Sequence, residues 1–112
     1  MYKQGDIIIV RYPLSDQPEK SIIRPVVVIS NNLSNSLDKD ILVCQITTRL
    51  RNDKFSILLT DNEVLVSMPE VCEVRCNKIA TVRVWDKVIL DKISAVKAEI
   101  LSAIIDKIKS AL

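Results

Sequence analysis

The chain has 112 residues, the length of a single domain spanning 1–112, and its 48% apolar content with one glycine excludes a disordered composition. No apolar run approaches the roughly 18 residues a membrane helix needs. The net charge of +2 permits nucleic-acid binding without demanding it, and the chain has no histidine, the commonest proton carrier near neutral pH.

The N-terminus, Met1-Tyr2-Lys3-Gln4-Gly5-Asp6, lacks the basic-then-apolar layout of a signal peptide, so the cytoplasm is the expected location. Asp6 to Tyr12 is rich in β-branched residues between Gly5 and Pro13 and predicts a strand. Residues 13–24 carry Pro13, Ser15, Asp16, Gln17 and Pro18 and predict an exposed loop leading to Arg24. Pro25 is expected to open a second strand, where its missing N–H does least harm, and the run Val26 to Ile29 suits a strand buried on both faces.

Asn31 to Ser36 is polar and predicts a loop or a short helical turn. Ile41 to Thr47 and Phe55 to Thr60 predict a third and a fourth strand, and Val64 to Met68 has no clear period. Val71 to Arg75 and Ile79 to Trp85 alternate as two further strands. From Ile93 onward, apolar residues recur at spacings of three and four through Leu112, with charge on the other side. This predicts an amphipathic helix with Ser94 as its N-cap. Strands closed by one helix define an α+β class, mainly β and antiparallel, in the manner of a small barrel with the helix packed on it.

Three cysteines, Cys44, Cys72 and Cys76, are an odd set without a C-x-x-C pair, and Cys44 sits in an apolar strand. They read as small core residues rather than a disulfide framework, a zinc site or a nucleophile. The clusters Arg49, Arg51, Lys54 and Arg75, Lys78 read on charge alone as solvated surface. Trp85, the single tryptophan, is expected in the core or at a dimer interface, ahead of a base-stacking role.

Taken in order, several landmarks resemble the MazF/PemK (Kid-type) family of toxin–antitoxin ribonucleases. Gly5-Asp6-Ile7 resembles the family's opening strand, and Glu19 precedes Arg24 as an acid does in its first loop. Arg24-Pro25-Val26-Val27-Val28-Ile29-Ser30 resembles its Arg-Pro strand, Gln45-Ile46-Thr47-Thr48 its strand ending in threonine, and Val74-Arg75-Cys76-Asn77 a later arginine-bearing strand. The resemblance covers nearly the whole chain. It implies an SH3-like β-barrel with a C-terminal helix, a homodimer, and metal-independent cleavage of single-stranded RNA by 2′-hydroxyl attack. It also implies an antitoxin partner with an acidic, otherwise disordered tail.

Carried onto this chain, the resemblance implies Arg24, Thr47 and Glu19 as catalytic residues. Arg75, Asn77, Thr48, Arg49 and Lys20 are the matching RNA-binding candidates. Arg24 offers a planar fork of donors to phosphate oxygens. Its pKa, ordinarily above about 12, favours electrostatic stabilisation over the proton donation that the resemblance implies. Thr47 supplies a hydroxyl to the phosphate, and strand alternation predicts that only one of Thr47 and Thr48 faces the groove. Glu19 is the candidate base. Asn77 stands where relatives often carry an acid, Ala80 where many carry an arginine, and Lys20 and Ile22–Ile23 replace polar and glycine residues. No cofactor or metal is expected. Two other readings fit the same fold: a toxin that binds and poisons DNA gyrase, and an inactive SH3-like binding module.

Overall fold

The computed structural model describes residues 1–13 and 16–112; Leu14 and Ser15, part of the expected loop at 13–24, lie outside the described residues. The elements are β1 (Asp6–Pro13), β2 (Ser21–Val28), α1 (Asn32–Leu37), β3 (Asp40–Thr47), β4 (Ser56–Leu59), β5 (Cys72–Arg83), β6 (Ile89–Ala95) and α2 (Ala98–Ala111). The strands form one six-stranded sheet in the order β4-β5-β3-β2-β1-β6, with every pairing antiparallel. This is the expected α+β, mainly β architecture with a C-terminal helix. The SH3-like barrel stays open. Among the described residues β4 and β6 do not pair; the segment after β4 meets the end of β6 instead, where Val64 bridges to Val96 beside a 2.9 Å bond from the Leu65 N–H to the Ala95 carbonyl.

Both faces of the central strands are buried, as the run at Val26 to Val28 predicts. On one face Ile7, Val27, Cys44, Ile46 and Val74 pack beneath α2, which contributes Ile104 and Ile108. Burying each such side chain is worth about 1.5–3 kcal/mol. On the other face Ile8, Val10, Val26, Val28, Ile41, Val43 and Val82 form a second cluster. All three cysteines are free and buried. Burial, and then Cys76, pushes the Cys44 thiol up to about 12, which suits a packing role.

Several boundaries differ from the sequence reading. β2 begins at Ser21, not at Pro25, because it continues the hairpin with β1 to the pair Pro13–Ser21. Pro25 lies within the strand opposite Ile9, just before the ladder to β3 starts at Val26. The two strands expected at Val71–Arg75 and Ile79–Trp85 are one strand, β5, with an irregularity opposite Cys44 and Gln45 where residues 76–78 are extra. α1 is a short helix capped by the Asn31 side chain, which accepts from the Ser34 N–H.

The largest departure is at the C-terminal helix. Residues 89–95 are strand β6, paired to the free edge of β1, and α2 starts only at Ala98 after Lys97, which makes no side-chain cap. Ser94 is not an N-cap: its hydroxyl donates to the Val66 carbonyl and accepts from the Val66 N–H at 2.8 and 2.9 Å. Trp85 lies in neither core; it is 54% exposed, with the Lys87 ammonium 5.1 Å from its ring centre.

Gly5 anchors the crossing of three segments. Its N–H donates to the Val28 carbonyl, its carbonyl accepts from the Val96 N–H, and its φ is +95°. A Cβ there would meet side chains at 3.6 Å, an ordinary contact, so the backbone conformation alone sets the cost. Gly5→Ala is expected to lose about 1–2 kcal/mol, read as a lower denaturation midpoint in urea with an unchanged slope.

Candidate nucleic-acid interface

Strand register places the key side chains on one face. On β2, Arg24 follows the parity of Val26 and Val28; on β3, Gln45 and Thr47 follow that of Ile41 and Val43. Opposite partners share a face, and Gln45 pairs with Arg75 while Thr47 pairs with Glu73. That face is therefore apolar at one end, where it forms the second core, and polar at the other.

Two arms of an open cleft meet at Arg24, Thr47 and Thr48 over the strand ends: a cationic arm on this face, and an apolar arm on the face of the first core, to which Ile46 belongs. The cationic arm, about 460 Å³, is walled by Arg24, Gln45, Thr47 and Thr48, together with Arg49, Arg51, Arg75 and Lys78. The apolar arm, about 360 Å³, shares Arg24, Thr47 and Thr48 and adds residues such as Ile22, Pro25, Ile46, Met68 and Ile93, with Glu70 its one carboxylate. A larger cavity of about 860 Å³ lies between Tyr2, Ile41, Trp85 and Val88, but its walls bring no cluster of cations together, and its Arg83 is already paired with Asp40.

Arg24 is half-buried, and its guanidinium lies 5.7 Å from the centre of the Tyr12 ring. Its Nε is buried without a hydrogen-bond partner, and none of the ion pairs among the described residues includes it. Burial holds its pKa below the ordinary arginine value; Tyr12 opposes this, and Arg75 adds to it. Thr47 accepts from the Arg49 N–H at 3.1 Å, which turns the chain at the strand end. Thr48 lies beyond the last residue of β3, where strand alternation no longer holds, so both threonines reach the cleft.

Beneath the cationic arm sits Glu73, 1% exposed. Its Oε1 accepts the N–H groups of Arg51 and Asn52 at 3.0 and 3.2 Å, and its Oε2 accepts the Ser56 hydroxyl at 2.9 Å. The Arg75 Nε is also 2.9 Å from Oε2, as an ion contact whose N–H does not point along the line of a hydrogen bond. Arg75 in turn donates through Nη2 to the Arg49 carbonyl at 2.7 Å. One buried carboxylate thus fixes both Arg75 and the turn carrying Arg49 and Arg51, in which Asn52 adopts φ +51°.

Of the residues singled out from the sequence, the cleft brings together Arg24, Thr47, Thr48, Arg49 and Arg75. Glu19, Lys20 and Asn77 are exposed and do not line either arm. Arg51 and Lys78, read from the sequence as solvated charge, are walls of the site, and Gln45, Glu70 and Glu73 join it. For Gln45 and Glu73 the signal was the parity they share with Thr47 and Arg75, legible only once register is known; Arg51, Glu70 and Lys78 lie outside the regular ladder, where no parity marks them. Among the described residues no group of three or more Cys, Asp or Glu side chains could hold a metal ion, and no helix is long and apolar enough to cross a membrane.

This is a small, mainly β domain that gathers arginines and threonine hydroxyls in one cationic cleft. The chain belongs to the PemK-like, MazF-like toxin family of type II toxin-antitoxin systems, whose family model matches residues 3–112. No curated protein matches the sequence. Solved structures share the fold. An endoribonuclease bound to its cognate antitoxin from a mycobacterial species aligns with TM-score 0.76 and 19% identity over 99% of this chain and 94% of its own. The Mycobacterium tuberculosis toxin MazF-mt6 aligns with TM-score 0.69 and 18% identity over 93% of this chain and 94% of its own. A MazE-MazF complex from Deinococcus radiodurans aligns with TM-score 0.76 and 16% identity over 97% and 93% of the two chains.

Proposed function

We propose that this toxin is an endoribonuclease that cuts single-stranded RNA without a metal, by attack of a 2′-hydroxyl on its own phosphate. The observation that carries this reading is the convergence of Arg24 and Arg75 with the Thr47 and Thr48 hydroxyls on one cleft. In-line attack puts extra negative charge on the phosphate oxygens, and donors fixed before the reaction stabilise that charge most strongly. The Arg24 fork and the outward edge of Arg75 supply those donors, and Thr47 and Thr48 orient the non-bridging oxygens. The O2′–P bond forms as the P–O5′ bond breaks, leaving a cyclic phosphate and a 5′-hydroxyl. Arg49, Arg51 and Lys78 extend positive charge along the strand on either side. The apolar arm suits the less polar face of a splayed-out nucleotide.

Two of the structural neighbours above hold an antitoxin, and a cationic cleft fits an acidic tail as well as RNA. We therefore assign a cognate antitoxin to the same cleft, and a homodimer as the working unit.

The test is incubation of the purified chain with a long single-stranded RNA in excess chelator. Discrete fragments with cyclic-phosphate and 5′-hydroxyl ends are expected, at rates unchanged by added magnesium. Intact RNA from folded protein would sink the reading and make gyrase the next partner to assay.

A further inference from the structure

We propose that Glu70 is the carboxylate that accepts the 2′-hydroxyl proton, an assignment that rests on the ribonuclease reading. The attacking hydroxyl needs an acceptor beside the bound phosphate, and the chain has no histidine to serve. The cationic arm contributes no carboxylate to its walls. The apolar arm contributes Glu70, on the lining that also contains Arg24, Thr47 and Thr48, the three residues both arms share. A phosphate held by those three leaves its ribose room to enter the apolar arm, on the side of Glu70.

Two other acids lie near the cationic arm: Asp53, whose Oδ1 accepts from the Phe55 N–H and the Ser56 hydroxyl, lines neither arm, and Glu73 is spent. Both Glu73 oxygens are occupied by backbone N–H groups, the Ser56 hydroxyl and Arg75, and the side chain is closed to solvent. Glu70 is exposed, and none of the ion pairs among the described residues engages it. It lies between Pro69, whose ring fixes its own φ, and Cys72, where strand β5 begins. Glu19 and Asn77 line neither arm, and an asparagine amide takes no proton near neutral pH.

In this step the Glu70 carboxylate takes the 2′-hydroxyl proton as O2′ bonds to phosphorus. The P–O5′ bond breaks, O5′ takes a proton from water, and the carboxylic acid returns its proton to water. Glu70 carries the same charge sign as RNA, so it opposes binding while it aids the reaction. That separates a base from a binding residue.

The experiment compares wild type, Glu70→Gln and Glu19→Gln on an RNA the wild type cuts, and on the same oligonucleotide with a 2′-deoxy sugar at the cut. Glu70→Gln is expected to lower turnover by at least about 100-fold, with equal or tighter binding of the deoxy oligonucleotide and an unchanged melting curve. Turnover within about threefold of wild type would overturn the assignment, as would a loss no larger than the loss of binding. A loss confined to Glu19→Gln would overturn it too. If wild type leaves every RNA intact, the ribonuclease reading itself fails, a result distinct from an active wild type with an unaffected Glu70→Gln.

Discussion

Replacing Arg24 with alanine is expected to abolish RNA cleavage while leaving the fold intact. Removing a single preorganised donor to a developing oxyanion typically costs about 10²–10³ in turnover, and a guanidinium supplies several, so a loss of at least about 10³ is expected. Lysine at this position restores little, because it offers a point charge where the cleft needs a planar fork. Stability should change little. Arg24 has no ion-pair partner among the described residues, and its contact with the Tyr12 ring is worth about 0.5–1 kcal/mol at a half-exposed site. The check is a fragment assay on end-labelled RNA beside a thermal melt of each protein. Cleavage by Arg24→Ala at the wild-type rate would remove the residue from the chemistry.

That Arg24 and Thr47 could be picked out before the fold was known has a physical reason. Each is carried by a local landmark of the resemblance, Arg24-Pro25 before an apolar strand and Ile46-Thr47 at a strand end, and the register then puts both on the face of Val26 and Val43. Glu73 and Arg75 were harder. In Val71-Cys72-Glu73-Val74-Arg75 the alternation places both charges on a solvent-facing side, yet both are buried, because the turn at 49–54 and the Ser56 side chain close over them and the two charges compensate each other. Such cover is long-range information. The same holds for β6: Ile93, Val96, Ile100 and Leu101 satisfy a helical period, but the open edge of β1 recruits residues 89–95 as a strand. Local period loses where a neighbouring edge offers a ladder of hydrogen bonds.

Glu73→Ala is expected to cause the largest loss of stability among single changes at the site. The substitution strands the buried Arg75 guanidinium without its counter-charge and leaves the Arg51 and Asn52 N–H groups without their acceptor. Removing one partner of a buried ion pair typically costs about 3–5 kcal/mol, against a total of about 5–15 for a domain of this kind. At a few degrees per kcal/mol, the melting temperature should fall by roughly 10–20 °C. Glu73→Gln keeps the shape and one accepting oxygen, so it should retain the turn but release Arg75, at a smaller cost of about 1–3 kcal/mol. The order of the three proteins in a denaturant titration is therefore wild type, then glutamine, then alanine. The consequence reaches function, because the carboxylate that closes the fold under the cleft is also what aims Arg75 and holds the Arg49–Arg51 turn. An alanine variant that melts with the wild type would show that the turn and Arg75 hold their places without Glu73, and the cleft would then owe its shape to the strands alone.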